Sequence, residues 1–175
     1  DETAWLDQTR ERYELEKLDF AEMLQRIDII PPSLALAQGA EESGWGTSRF
    51  AREGNALFGQ RIFKGTRGIV PMKRDRGQKH RVRAFGHLID GVKAYADNLN
   101  THSAYKLLRE VRAKMRASGR VIDGKVLAST LVKYSERREK YVDTIKVIIR
   151  ANHFHLYDKA RLGDRLTVIA SDSGI

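Results

Sequence analysis

The sequence predicts a mainly α-helical domain interrupted by a small β lobe, and three observations carry that expectation. Apolar residues recur at helical spacing along most of the 175 residues. From about residue 60 to 86 that period gives way to glycine, basic residues and short alternating runs, with Pro71 among them. The helical period then returns at Leu88. The length suits one domain with a substantial core. One domain is therefore expected over residues 1–152, with the β lobe at about 60–86. Residues 153–175, where the pattern fades, are expected to be a C-terminal extension or tail. No internal repeat or low-complexity linker divides the chain.

Taken in order, residues 4–17 and 19–26 read as helices, with Asp19 placed to cap the second. Pro31-Pro32-Ser33 opens a third, for which Ser33 is the expected N-cap. From Leu34 to Ala40 this helix is apolar all round, which suits burial in a core, and Gly44 stops it. Thr47 or Ser48 is placed to cap a short helical turn over 48–52. Ile69-Val70 and residues 80–85 alternate as short strands joined by a turn near Asp75-Arg76-Gly77. Leu88, Val92, Tyr95, Ala96 and Leu99 mark the buried face of the next helix. Leu107, Leu108, Val111 and Met115 mark another; Leu127, Leu131 and Tyr134 a third; Tyr141, Ile145, Ile148 and Ile149 the last.

Composition narrows the function classes. With 41% hydrophobic and 31% charged residues the chain reads as globular and soluble. No apolar run is long enough for an integral membrane segment. Without cysteine, disulfides and thiolate chemistry are excluded. The chain starts at Asp1 with neither methionine nor a signal-peptide pattern, which reads as a mature or trimmed form that has lost an export signal. Nine Lys or Arg fall between Arg61 and Arg83 against one acid, Asp75, so this stretch accounts for nearly all of the net charge of +9. Such a cluster can attract nucleic acid, an anionic membrane surface or an anionic polymer, or simply be solvated. No helix-turn-helix, zinc or aromatic-platform signature is visible, so nucleic acid is not an expected partner. The five histidines make no metal set, since His153 and His155 merely flank Phe154, and neither metal nor cofactor is expected.

The chemistry concentrates in Gln38-Gly39-Ala40-Glu41-Glu42-Ser43-Gly44-Trp45-Gly46. A carboxylate on a buried helix is costly, so it finds a partner or keeps its proton. The partial negative charge at a helix C-terminus acts in the same direction. A glutamic acid still protonated near neutral pH is what general-acid catalysis requires. The local pattern equally allows one or both glutamates to reach solvent where the helix ends.

An acid at the end of a buried helix, followed by a β excursion, resembles the lysozyme-like hydrolases. Ile30-Pro31-Pro32-Ser33-Leu34-Ala35-Leu36-Ala37-Gln38, running into Glu42-Ser43-Gly44-Trp45-Gly46-Thr47-Ser48-Arg49-Phe50-Ala51, is similar to the peptidoglycan glucosaminidases of glycoside hydrolase family 73. Asn55-Ala56-Leu57-Phe58-Gly59 matches that family's next motif. Asn98-Leu99-Asn100-Thr101-His102 and Tyr134-Ser135-Glu136-Arg137 resemble its Bax-type subgroup. The likeness covers roughly residues 5–152.

The resemblance implies cleavage of the β-1,4 bond after N-acetylglucosamine in peptidoglycan strands, by a monomer in the periplasm, cell envelope or medium. It places the catalytic acid directly before Ser-Gly-Trp-Gly, at Glu42, while Glu41 departs from the family pattern. A second carboxylate would come from the β lobe, where Asp75 is the acid available. Otherwise the substrate's own acetamide group would act, oriented by Tyr134, which equally fits the core face of Leu127 and Leu131. Trp45, Phe58, Asn55 and Glu41 are further candidates for contact with the sugar. Trp45 and Phe58 could instead be packing anchors and Asn55 a loop support. A muramidase or lytic transglycosylase on the same fold, or a non-catalytic glycan-binding domain, stands as the alternative.

Overall fold

A computed structural model describes residues 1–62, 68–72 and 80–160. Its centre is helix α3 (Pro32–Ser43), which packs against α7 (Gly124–Ala128), α8 (Glu139–Ala151) and a 3₁₀ segment, Phe154–Lys159. Around this group lie α1 (Glu2–Arg12), α2 (Phe20–Arg26), α4 (Arg49–Gly54), α5 (Leu88–Thr101) and α6 (Lys106–Ala117). Leu34 and Ala37 of α3 join Tyr95, Leu99, Leu108, Leu127, Leu131, Tyr141, Ile145 and Ile149 in one core. The protein is mainly α with a small antiparallel sheet, as the sequence predicts. Among the described residues, no helix is long and apolar enough to cross a membrane.

The local signals act as their chemistry requires. Asp19 accepts the Glu22 amide at 3.0 Å and caps α2, and Ser48 accepts the Ala51 amide at 3.2 Å and caps α4. Gly44 ends α3 in the left-handed region at φ +56°. Trp45 (φ +58°) and Gly46 (φ +76°) continue that turn. Ser43 ties it down, its hydroxyl donating to the Gly39 carbonyl at 2.5 Å and accepting the Gly46 amide at 2.7 Å.

Four expectations are corrected. Helix α1 ends at Arg12 rather than near 17, because the chain turns at Glu14 with φ +56°. Ser33 is not the cap of α3: Pro31 holds that position without a side-chain bond. Instead the Asp158 carboxylate reaches in from the 3₁₀ segment and accepts the Ser33 amide at 2.9 Å and its hydroxyl at 2.7 Å. The same carboxylate accepts the Gly124 amide at 3.0 Å, so it serves the start of α7 as well. The face expected over Leu127, Leu131 and Tyr134 is not one helix but α7 followed by a 3₁₀ turn, Leu131–Lys133. Leu88 and Leu107, assigned to buried faces, are exposed. On α6 Arg112 is fully buried alongside Leu108, and its guanidinium donates to the carbonyls of Gln25, Asp28 and Ile29 at 2.6–3.1 Å. It thereby satisfies the backbone that joins α2 to α3.

The β lobe has strand order β1-β3-β2, with β1 (Arg61–Ile62), β2 (Gly68–Ile69) and β3 (Arg81–Arg83). Arg61 pairs with Val82 on one side of β3, and Gly68 pairs with Arg83 on the other. The expected pairing of the 69–70 and 80–85 runs is present, while β1, two residues long, shows no alternation by which to recognise it. The turn at 75–77 lies outside the described residues. The Phe85 amide donates to the Gly54 carbonyl at 2.8 Å, and Arg49 donates to the Val70 carbonyl at 2.6 Å, which anchors the lobe on α4.

Candidate active site

Helix α3 is buried on most sides, so the few polar groups it carries have defined partners. Its last turn delivers Glu42 into a cleft of about 570 Å³ walled by Phe58, Gly59, Gln60 and Arg61 on one side. Asn98, Tyr105, Tyr134, Ser135, Glu136 and Arg137 form the rest of the wall. The β lobe therefore borders the cleft through Arg61. Gly59, at φ +59°, turns the backbone in front of the acid, and a β-carbon there would stand 3.8 Å from Glu42 Oε2.

The Glu42 carboxyl is held above the usual glutamate range. Burial is the main cause, because a half-buried carboxylate has lost part of its hydration. The neighbouring Tyr141 hydroxyl pulls in the opposite direction; the charge of Glu41 raises it again, and Arg137 lowers it. Glu41 is partly neutralised by an ion pair with Arg137, whose other amino group donates to the Thr144 hydroxyl at 2.8 Å. The adjacent glutamates thus have different surroundings. Glu41 is charged and paired at the rim, whereas Glu42 is shielded and biased toward its protonated form.

Behind the acid stand three tyrosines. The Tyr134 ring stacks on Tyr141 at 5.4 Å between centroids and lies 5.9 Å from Tyr105. Burial, with Glu42 nearby, raises the hydroxyl pKa of all three, so they are neutral donors at any physiological pH. A carboxyl biased toward its protonated form, set against an uncharged aromatic wall, can give a proton to an ether-like oxygen.

Known proteins resemble the chain over most of its length. Residues 18–154 match the glucosaminidase family, described as mannosyl-glycoprotein endo-β-N-acetylglucosaminidase. The chain belongs to this family of glycoside hydrolases. It is 36% identical over 125 residues to Protein bax of Escherichia coli (strain K12), which places it with the Bax-type members. That alignment takes in 71% of this chain and 44% of the relative, so the chain spans less than half the length of that protein. No solved structure matches it.

Within this glucosaminidase-family domain the sequence-selected residues separate. Glu42, Tyr134 and Phe58 meet at the cleft, and Glu41 sits at its edge through Arg137. Phe58 is nearly buried, stacked on Tyr95 at 3.8 Å, and shows its remaining surface to two cavities. Trp45, 59% exposed, is not among the residues lining the cleft; it borders a separate apolar groove of about 550 Å³ with Leu36, Phe154 and Tyr157. Asn55 is engaged with backbone, its amide donating to the carbonyls of Phe85 and Gly86 at 3.2 Å each. Asp75 lies outside the described residues. Glu136, Tyr105 and Asn98 line the cleft although the sequence reading assigned them no role. The Ser135-Glu136-Arg137 run is marked in the sequence only by its resemblance to the Bax-type subgroup, and it reaches the cleft directly after the Leu131–Lys133 turn.

Proposed function

We propose that the chain hydrolyses the β-1,4 bond after N-acetylglucosamine in the glycan strands of peptidoglycan, with Glu42 as the general acid. The observation that carries this reading is the Glu42 carboxyl, biased toward its protonated form by burial and opening into a cleft, in a chain of the glucosaminidase family. Glu42 protonates the leaving glycosidic oxygen as the bond breaks, and positive charge develops on the departing sugar ring. That charge is met by a second carboxylate or by the substrate's acetamide. Glu136, across the same cleft, joins Asp75 as a candidate for the first role, and Tyr134 is placed to orient the acetamide in the second. Arg61 on the rim and the basic stretch that follows it would draw in the stem-peptide carboxylates of an anionic strand. Such a substrate places the chain's work in the bacterial envelope or outside the cell.

Digestion of purified peptidoglycan by the wild type and by Glu42→Gln, with the new ends identified by mass spectrometry, tests the reading. Reducing N-acetylglucosamine ends from the wild type, and a rate about 10²–10⁴-fold lower in the variant, are expected. Reducing or anhydro N-acetylmuramic acid ends would point to a muramidase or a lytic transglycosylase. Equal digestion by the variant would remove Glu42 from the mechanism, and no digestion by the wild type would leave a glycan-binding domain. Parallel assays of Glu136→Gln and Asp75→Asn identify the second carboxylate by which of them loses activity.

A further inference from the structure

Glu41 directly precedes the acid on α3, yet it is not among the residues lining the cleft. We infer that Glu41 is a positioning residue: through Arg137 it holds residues 135–138 in place as cleft wall, and so fixes where Glu136 stands relative to Glu42. This deepens the proposal that Glu42 is the general acid with Glu136 as its partner carboxylate, and rests on it.

The bonds that do the holding meet at Arg137. One amino group of its guanidinium forms the ion pair with Glu41, and the other donates to the Thr144 hydroxyl at 2.8 Å. Thr144 is itself fixed, donating to the Lys140 carbonyl at 2.8 Å within α8. One side chain therefore ties the acid's helix to α8. Glu41 is the better shielded partner, its side chain 24% exposed against 51% for Arg137, so the pair is screened less than one wholly in solvent.

The backbone beside this tie needs support. Arg138 has φ +50° and ψ −118°, and the Lys140 amide donates back to the Arg137 carbonyl at 3.1 Å. These are the angles of the first corner of a type II′ turn, where glycine is the usual residue and an arginine is strained. Such strain persists only where the surroundings over-determine the conformation. Helix α8 supplies one side of that support, since the Tyr141 and Val142 amides both donate to the Arg138 carbonyl, at 3.0 and 3.2 Å. The Arg137 side chain, bonded to α3 and α8 at once, supplies the other. Ser135, Glu136 and Arg137 line the cleft immediately before the corner, so a change in its backbone moves Glu136. Glu41 and Glu42 are neighbours on one helix, so the tie sets the separation of the two reacting carboxyl groups from the acid's own side. That separation decides whether a water fits between them.

The test compares Glu41→Ala, Arg137→Ala, the double variant and Thr144→Val by amide hydrogen exchange of the free protein and by the pH dependence of peptidoglycan digestion. Exchange of the Arg138 and Lys140 amides is expected to quicken about tenfold or more in Glu41→Ala and Thr144→Val, with the amides of α3 unchanged. The digestion rate at its pH optimum is expected to fall about 10–100-fold in Glu41→Ala and by less in Thr144→Val. The double variant is expected to lose no more than Arg137→Ala alone. The alkaline limb separates positioning from charge. Through charge alone, losing Glu41 would move that limb to lower pH and losing Arg137 to higher pH, with the optimum rate unchanged. Thr144→Val, which alters no charge, is expected to lower the rate without moving the limb. An unchanged optimum rate in Glu41→Ala, unchanged exchange at Arg138 and Lys140, or additive losses in the double variant would overturn the inference. So would a fall in melting temperature large enough to account for the lost rate, since a half-exposed ion pair is expected to shift it by less than about 3 °C. Exchange needs no substrate, so a failure of the tie is read there. Equal digestion by Glu42→Gln would instead remove the acid while leaving the exchange result intact.

Discussion

Replacing Asp158 by alanine is expected to lower the stability of the fold by about 3 kcal/mol, although the residue is 125 positions from the helix it serves. The magnitude follows from the three bonds its carboxylate accepts. Two come from the amides of Ser33 and Gly124, at the starts of α3 and α7, where a backbone N–H has no partner within its own helix. Losing the side-chain acceptor costs about 1 kcal/mol at α3, which has no other side-chain cap, and about as much at the Gly124 amide, since Asp123 caps only the next two amides of α7. The third comes from the Ser33 hydroxyl, which is buried, and a buried hydroxyl left unpaired costs about 1 kcal/mol more. Equilibrium unfolding in urea, followed by far-ultraviolet circular dichroism, measures the loss, and an unchanged m-value assigns it to the native contacts. For a chain of this length the melting temperature should fall by about 6–12 °C. Asp158→Asn keeps one acceptor oxygen and should lose about half as much. A loss below about 1 kcal/mol in Asp158→Ala would refute the claim that one carboxylate supports the starts of both helices.

Further outcomes follow from the site and the core. Activity should fall as pH rises through the Glu42 pKa, since a general acid works only while protonated, and burial should place that limb above the ordinary glutamate value in a pH–rate profile. Arg137→Gln removes a positive charge near Glu42 and frees Glu41 from its ion pair, so the alkaline limb should move to still higher pH in the same assay. Gly59→Ala forces a side chain into the left-handed region beside the acid; it should cost about 1–2 kcal/mol in urea unfolding and reduce turnover more than stability alone explains. Arg112→Met leaves the carbonyls of Gln25 and Ile29 without a donor and the Asp28 carbonyl with Asn100 alone, and about 3 kcal/mol of destabilisation is expected by the same method. Hydrolysis of intact sacculi should slow as salt rises from about 0.05 to 0.3 M, because charges on the basic rim are screened over about 8–10 Å near physiological ionic strength.

What could be read from the sequence is what neighbouring residues decide among themselves. Asp19 and Ser48 cap because their hydrogen-bond targets lie three residues on, and Gly44 stops α3 because the backbone must turn left-handed there. The paired glutamates stood out because a charge on an apolar helix conflicts with its surroundings at once. What could not be read depends on partners distant in the chain. Ser33 has the chemistry of a cap, yet Asp158 does the capping across 125 residues. Arg112 looks like one more surface cation until the carbonyls before α3 are placed around it. Gln38, Tyr95 and Tyr141 each fit a periodic face, and their shared hydrogen bonds exist only once α3, α5 and α8 meet. Glu136 reaches the cleft because the segment after Ala128 breaks into a short turn instead of continuing as the helix that its leucines suggest.

The raised pKa of Glu42 also means that the native fold and the ionised acid work against each other. With its pKa higher in the folded chain than in the unfolded one, Glu42 binds a proton more tightly when folded. Its contribution therefore weakens the fold as pH rises from the ordinary glutamate value to the folded value, and is constant above that. Glu42→Gln, which never ionises, should be as stable as the wild type in acid and more stable at neutral pH. Natural selection for a heat-resistant chain alone would discard this glutamate, so the acid is a position where the molecule gives up robustness for reactivity.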